Sequence, residues 1–161
     1  MTDKDLIQEA ITARKSAYAP YSNFLVGAAL LTCGGKVYHG CNIENAGYSP
    51  SICAERTAFS KAVSEGERDF SAIAVAGWPK DAVVQSAAFP CGVCRQVMRE
   101  FCGPEFKILV VSDEDFNGSY NEGSNDKRET HGINDTHEIQ NFTSHTLNEL
   151  LPFSFGPENL T

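Results

Sequence analysis

The sequence lacks a long hydrophobic run and is poor in positive charge. No apolar stretch approaches the ~20 residues that a membrane-spanning helix requires, and the N-terminus carries Asp3, Lys4 and Asp5 where a secretory signal would be apolar. Lysine and arginine number 13 against 21 aspartates and glutamates, for a formal net charge of −8. We therefore expect a cytoplasmic protein with no membrane partner, and nuclear presence stays open. Nucleic acid is an unfavoured partner because an acidic surface repels phosphate backbones.

The cysteines do not have the setting of a disulfide framework. The chain of 161 residues, 42% of them hydrophobic, is long enough to bury a core as one domain without covalent staples. Disulfides are also rare in a reducing compartment. We interpret Cys33, Cys41 and Cys102 as small buried residues. The other three cysteines, at 53, 91 and 94, stand in segments with further polar residues and are the candidates for chemistry.

Hydrophobic periodicity predicts four helices and five strands. The helices are predicted at 4–17, 53–64, 91–101 and 146–151. The strands are predicted at 26–32, 36–41, 70–77, 106–112 and 139–143, the first two joined as a hairpin by Gly34 and Gly35.

This order predicts an α/β fold, a three-layer α/β/α sandwich around a central mixed five-stranded sheet, as one domain over 1–161. Two helices begin at the same end of the predicted sheet, which is where sites in such folds gather. The polar composition of 113–141 predicts a surface insertion at about 117–137. His131 and His137 lie there, and we expect them to be solvated rather than bound to metal.

Three cysteines form a candidate metal site. A single Cys-X-X-Cys pair, here Cys91 and Cys94, fits either zinc binding or redox chemistry. A closed structural zinc site would need a fourth ligand, whereas three ligands and an open position are typical of catalytic zinc. Cys53 and Cys91 each begin a predicted helix, where the helix dipole favours a thiolate. The pattern predicts one Zn²⁺ per subunit, held by Cys53, Cys91 and Cys94.

Two charged residues follow Cys53. Glu55 does not share a helical face with Cys53, so we expect it to serve as general acid and base for a water molecule activated by zinc, rather than as a ligand. The alternative is that Glu55 only complements the helix dipole. Three thiolates leave the zinc site with a net negative charge, which a hydrogen bond from Arg56 to sulfur would reduce. The alternative for Arg56 is a surface salt bridge.

At this point the sequence resembles the cytidine deaminase family, specifically its small homotetrameric zinc-dependent type. The motif of a ligand, any residue and Glu, followed by Pro-Cys-X-X-Cys, is a known signature of zinc deaminases. The resemblance extends over nearly the whole chain except 113–141. Its blocks are YAPYSNF at 18–24, VG at 26–27, GCNIENA at 40–46, CAERT at 53–57, PCGVCRQ at 90–96, ELLP at 149–152 and FGP at 155–157.

The resemblance implies roles for further residues. It implies that Phe24 stacks on the pyrimidine, that Asn42 and Glu44 bind the ribose, and that the Ala54 backbone holds the base. It also implies a homotetramer with sites shared between subunits, in which a neighbouring subunit's site receives Ala46, Tyr48 and Phe155. From composition alone, Phe24 and Phe155 would be expected in the core.

The resemblance implies hydrolytic deamination of cytidine and deoxycytidine to uridine and deoxyuridine in pyrimidine salvage, with release of ammonia. A cysteine as first ligand, in place of the histidine of relatives that act on nucleotides or nucleic acids, favours a free nucleoside. Three alternatives stay open: deamination of another small molecule such as blasticidin S, binding or editing of nucleic acid, and a purely structural zinc module.

Overall fold

The computed structural model describes residues 1–81, 87–112 and 141–160. The predicted insertion at 117–137, with His131 and His137, lies outside these residues. The described elements are helix α1 Asp3–Arg14, strands β1 Phe24–Thr32 and β2 Val37–Cys41, helix α2 Ala54–Ser64, strand β3 Phe70–Pro79, helix α3 Gly92–Phe101, strands β4 Lys107–Val111 and β5 Phe142–Thr146, helix α4 Leu147–Leu150 and a 3₁₀ turn Pro157–Leu160. Among the described helices, none is long and apolar enough to cross a membrane.

The predicted elements are confirmed in type and order, but several of their bounds differ by two or three residues, most clearly the end of the first helix and both ends of the last strand. The first helix ends at Arg14, because the amides of Lys15, Ser16 and Ala17 turn back to carbonyls three residues earlier. The last strand covers Phe142–Thr146 rather than 139–143. It is an edge strand with half-buried and exposed polar residues, so no apolar run marks it in the sequence.

The five strands form one mixed sheet in the order β2-β1-β3-β4-β5. Only β3 and β4 run parallel, and the other neighbours are antiparallel. Alternate residues of β1 and β3 face opposite layers: Ala28, Leu30 and Ile73 pack with α2 and α3, whereas Ala29 and Ala74 pack with α1. The predicted three-layer sandwich with a mixed five-stranded sheet is therefore confirmed.

Two glycines let helices approach the sheet closely. A Cβ atom on Gly27 would lie 2.1 Å from the Ala10 carbonyl oxygen of α1. One on Gly40 would lie 2.1 Å from the Ala54 carbonyl oxygen of α2. The bare backbone of β1 thus accommodates α1, and that of β2 accommodates the first turn of α2 on the opposite face.

A buried arginine ties α1 to the ends of two strands. Arg14 donates hydrogen bonds to the carbonyls of Leu25, Trp78 and Pro79 at 2.8–3.1 Å, and its guanidinium lies 3.9 Å from the centre of the Trp78 ring. Desolvation lowers the pKa of Arg14 to about 10, so the side chain stays charged at neutral pH. These contacts fix the start of β1, where Phe24 lies, against the end of β3.

All six cysteines are free thiols. Cys102 is buried as expected and Cys41 is half-buried. The expectation was wrong for Cys33, which is exposed because it lies in the turn beyond β1 rather than in the strand.

Candidate active site

The ends of two helices bring three sulfur atoms together. Cys53 is the N-cap of α2 and Cys91 the N-cap of α3, both with extended backbones, while Cys94 lies in the first turn of α3. The Cys53 and Cys91 Sγ atoms are 3.9 Å apart, and those of Cys91 and Cys94 are 3.4 Å apart. All three lie within 4.8 Å of one another. The predicted ligand trio is therefore clustered.

The spacing of this cluster fits a tetrahedral metal ion. Zn–S bonds of about 2.3 Å at tetrahedral angles hold sulfur atoms roughly 3.8 Å apart, close to the separation of Cys53 and Cys91. The three cysteines differ in solvent exposure: Cys94 is buried, Cys53 is half-buried and Cys91 is exposed. It is thus anchored in the core and open on one side, as a site that exchanges substrate requires.

The charge of the cluster also favours a cation. Hydrogen bonds from the Cys94 thiol, and then from Arg56 and Cys91, lower the pKa of Cys53 to about 5. The pKa of Cys94 is raised, first by its hydrogen bond to Cys53 and then by burial. The Cys53 thiolate therefore forms readily, and its negative charge opposes the formation of a second thiolate at Cys94. A divalent cation would offset that repulsion, so thiolate chemistry and geometry agree with zinc.

Glu55 is buried beside the cluster, with 4% of its surface exposed. Desolvation, the largest effect, together with the charge of Cys53, raises the pKa of Glu55 to about 7. Such a carboxyl can both give and accept a proton near neutral pH.

Among the residues that the structure describes, Arg56 contacts the cluster and forms no salt bridge to a carboxylate. Its Nη2 lies 3.8 Å from Cys53 Sγ and donates to the Ser51 carbonyl at 3.1 Å. Its Nε is buried and has no hydrogen-bond partner within the described residues. The guanidinium therefore places positive charge against the sulfur atoms.

A cavity of about 450 Å³ opens beside Cys53, Cys91 and Glu55. This volume is within the usual range for small-molecule sites. Of the other residues predicted to bind substrate, Phe24, Asn42 and Ala54 line the cavity. Apolar side chains form most of the wall, so a flat heterocycle can be buried there with few polar partners.

Asn42 is held by the strand it faces. Its Nδ2 donates to the Phe24 carbonyl and its Oδ1 accepts from the Val26 amide, both at 2.8 Å. A carboxamide has a second N–H and a second lone pair. Asn42 can therefore orient Phe24 and Val26 and still bind a hydroxyl group.

The remaining predicted substrate contacts lie outside this cavity. Glu44 accepts hydrogen bonds from the amides of Tyr21 and Ser22. A hydrogen bond from the Ser22 side chain is the largest effect that lowers the pKa of Glu44, followed by that from the Tyr21 amide. Ala46 is exposed. Tyr48 and Phe155 are 76% and 58% exposed. Within one chain, none of these four residues lines the cavity.

Sequence reasoning missed part of the cavity wall. The additional lining residues are Val26, Ser51, Ile52, Val75, Ala87, Ala88 and Phe89. Val26 and Val75 belong to predicted strands, where an apolar residue is indistinguishable from core. Ala87–Phe89 lie in a predicted loop; their position just before Pro90 and Cys91 was the available signal.

Comparison with known proteins gives consistent similarities. The family described as "Cytidine and deoxycytidylate deaminase zinc-binding region" matches residues 1–110. A cytidine deaminase of Sporosarcina psychrophila is 51% identical over 112 residues, 70% of this chain and 79% of that protein. One of Halalkalibacterium halodurans is 56% identical over 105 residues, 65% and 76% of the two chains. The crystal structure of cytidine deaminase from Burkholderia pseudomallei is similar with a TM-score of 0.73 and 39% identity, covering 96% of this chain and all of that one.

Proposed function

The chain belongs to the cytidine and deoxycytidylate deaminase zinc-binding family, and we propose on that premise that it hydrolyses cytidine and deoxycytidine to uridine and deoxyuridine, releasing ammonia. The observation that carries the proposal is the meeting of three sulfur atoms and a buried carboxyl at the wall of one cavity. Blasticidin S as the substrate is not favoured, because the similar proteins are cytidine deaminases.

In this proposal Cys53, Cys91 and Cys94 hold one zinc ion per subunit. When bound, zinc supplies the Lewis acidity that makes water a nucleophile near neutral pH. Arg56 withdraws charge from Cys53 through its guanidinium, 3.8 Å from the sulfur. Thiolate ligands must stay reduced, which supports the proposed cytoplasmic location.

Glu55 moves the protons of the reaction. It accepts one proton from the attacking water and delivers it to N3 of the pyrimidine while oxygen bonds to C4. It then passes the second proton of that water to the exocyclic amine, the C4–N bond breaks and ammonia leaves. One water is consumed for each cytidine, and Glu55 returns to its starting state. A pKa near 7 suits both halves of this cycle.

The substrate is held by the cavity wall and by polar groups at its edge. We assign Phe24 to stacking on the pyrimidine and the Ala54 backbone to the base. Asn42 and Glu44 are assigned to the ribose hydroxyls. Asn42 donates a hydrogen bond to the Phe24 carbonyl, which supports these assignments. The Asn42 side chain would then both hold Phe24 in place against the pyrimidine ring and bind the sugar.

We further propose a homotetramer in which Ala46, Tyr48 and Phe155 complete a neighbouring subunit's site. Support comes from the exposure of Tyr48 and Phe155, and of Phe153, which is fully exposed. Exposed apolar side chains that group into one patch mark interaction sites, and Tyr48 packs beside the exposed Tyr21, with ring centroids 6.3 Å apart. A stable, active monomer in sedimentation analysis would contradict this assembly.

The test is loss of cytidine absorbance with and without a zinc chelator, using Glu55→Gln and a control, Glu100→Gln, whose side chain is exposed on α3. Glu55→Gln should retain zinc and lose activity by about 10²- to 10⁴-fold, because only proton transfer is removed. Glu100→Gln should match the unchanged protein. Near-normal turnover by Glu55→Gln, or chelator-resistant turnover, would refute the assignment.

A further inference from the structure

We infer that Phe89 sets the substrate range of this site by limiting the size of the substituent that a cytosine ring can carry at C5. The inference rests on the proposed function and extends it from a substrate class to a boundary within that class. It concerns a residue of the cavity wall that takes no part in metal binding or proton transfer.

The proposed chemistry fixes which edge of the ring faces which helix. The reacting carbon, C4, must face the sulfur cluster, and its two ring neighbours are N3 and C5. Glu55, on α2, serves N3. The C5 edge therefore points away from Glu55, and we place it against the lining residues Ala87, Ala88, Phe89 and Cys91, which lead into α3.

Phe89 is the large side chain of that segment. Ala87 and Ala88 also line the cavity, but each contributes only a methyl group. A substituent on C5 would project from the carbon next to the reacting one, close to Cys91, so the neighbouring phenyl ring is the group that it meets.

The Phe89 ring has little freedom to move aside. It packs edge-to-face on His145 of β5, with ring centroids 5.3 Å apart and an interplanar angle of 66°. His145 is itself held through Nε2 to the Thr143 hydroxyl at 2.9 Å. The sheet edge thus backs the ring, and the wall can reject a larger substrate instead of yielding to it.

The experiment measures kcat/KM for cytidine, 5-fluorocytidine, 5-methylcytidine and 5-bromocytidine. The proteins are the unchanged chain, Phe89→Ala, Phe89→Leu and, as matched control, Phe101→Leu, which shortens an aromatic side chain packed on Phe59 in the core. Each variant is compared with the unchanged chain on the same substrate, so that electronic effects of the halogens cancel.

Phe89→Ala should raise the 5-bromocytidine-to-cytidine ratio of kcat/KM by about 10- to 100-fold, the usual range for a change of this size in an apolar pocket. Phe89→Leu should raise it less, 5-fluorocytidine should change little, and Phe101→Leu should leave every ratio unchanged. Unchanged ratios in both Phe89 variants, with cytidine still deaminated, would overturn the inference alone. Failure of the unchanged chain to deaminate cytidine would instead overturn the proposed function. Melting temperatures identify a variant that is merely unfolded, and Phe89→Leu then decides.

Discussion

Replacing Gly40 by alanine should disable the site although Gly40 does not line it. A Cβ atom at this position would lie 2.1 Å from the Ala54 carbonyl oxygen, 2.5 Å from the Ala58 amide nitrogen and 3.0 Å from the Ala58 Cα. All three are backbone atoms of α2, so no side chain can rotate away. Since Cβ contacts below 3.0 Å are essentially never found, the helix must move from the sheet by about 1 Å.

The expected loss of catalytic rate in Gly40→Ala follows from the two site residues that lie at the start of α2. Cys53 and Glu55 flank Ala54, so a shift of the helix moves a proposed ligand and the proposed proton carrier together, relative to Cys91 on α3. A misplacement of 1 Å costs about 10²-fold in rate, equivalent to roughly 2.7 kcal/mol of transition-state stabilisation. Overpacking also destabilises the fold, by about 1–3 kcal/mol.

Gly27→Ala provides the matched control for this loss of stability. Its Cβ atom would meet the backbone of α1 at 2.1 Å and 2.2 Å, at the Ala10 oxygen and the Arg14 nitrogen. The overpacking is therefore similar, on the opposite face of the sheet, against a helix that carries no proposed zinc ligand or proton carrier.

The assay combines thermal unfolding, zinc titration against a chromophoric chelator, and cytidine turnover well below the melting temperature. Both variants should melt at lower temperature. Only Gly40→Ala should bind zinc more weakly and lose about 10²-fold in kcat. The reasoning is refuted if Gly40→Ala keeps normal zinc affinity and kcat, or if Gly27→Ala loses both to the same extent.

Two further substitutions test how the site is supported. Arg95 donates from Nε to the Pro90 carbonyl at 2.7 Å and from Nη1 to the Leu150 carbonyl at 2.6 Å. A lysine ammonium cannot span both acceptors. Arg95→Lys should therefore weaken zinc binding by about 10-fold. Arg99 contacts Ser154 and Glu158 of the tail through its guanidinium, so the control Arg99→Lys should leave zinc affinity unchanged. Equal zinc affinities in Arg95→Lys, Arg99→Lys and the unchanged chain would contradict the expected role of Arg95. Gly77→Ala should raise the KM for cytidine, because its Cβ atom would lie 2.7 Å from Ala88 Cβ and 3.2 Å from Phe24 Cε1. Adding Ala88→Gly should restore binding by about 1 kcal/mol or more, and a double variant no better than Gly77→Ala would show that the contact is irrelevant.

The layered fold was predictable because its central strands are buried on both faces. Strands β1 and β3 are covered by α1 on one side and by α2 and α3 on the other, so they occur in the sequence as near-continuous apolar runs. Strand β5 has no such run. Its half-buried edge position tolerates Thr143, Ser144 and His145, and periodicity alone placed it three residues too early.

The metal cluster was predictable for a different reason. Chemistry at Cys53, Cys91 and Cys94 needs particular residue types at the starts of helices, and both features are visible in one sequence. The cavity wall has no such requirement. Val26, Val75 and Ala88 are ordinary apolar residues whose contact with a cavity depends on tertiary packing, and an apolar residue beside a cavity has the same sequence pattern as one in the core. The single-domain boundary of 1–161 and the polar insertion stay predictions.

Cys53 and Cys91 are 38 positions apart, and the chain between them includes all of α2 and β3. A zinc ion bound to both would close this stretch into a ring; for a covalent cross-link of that length, the loop-entropy relation gives about 4 kcal/mol. A ligand that binds only the folded chain also stabilises it by mass action, by about 2.7 kcal/mol at a free concentration one hundred times its Kd. Zinc supply would then govern how long each molecule survives as well as how fast it works, and starvation for the metal would reduce abundance along with activity.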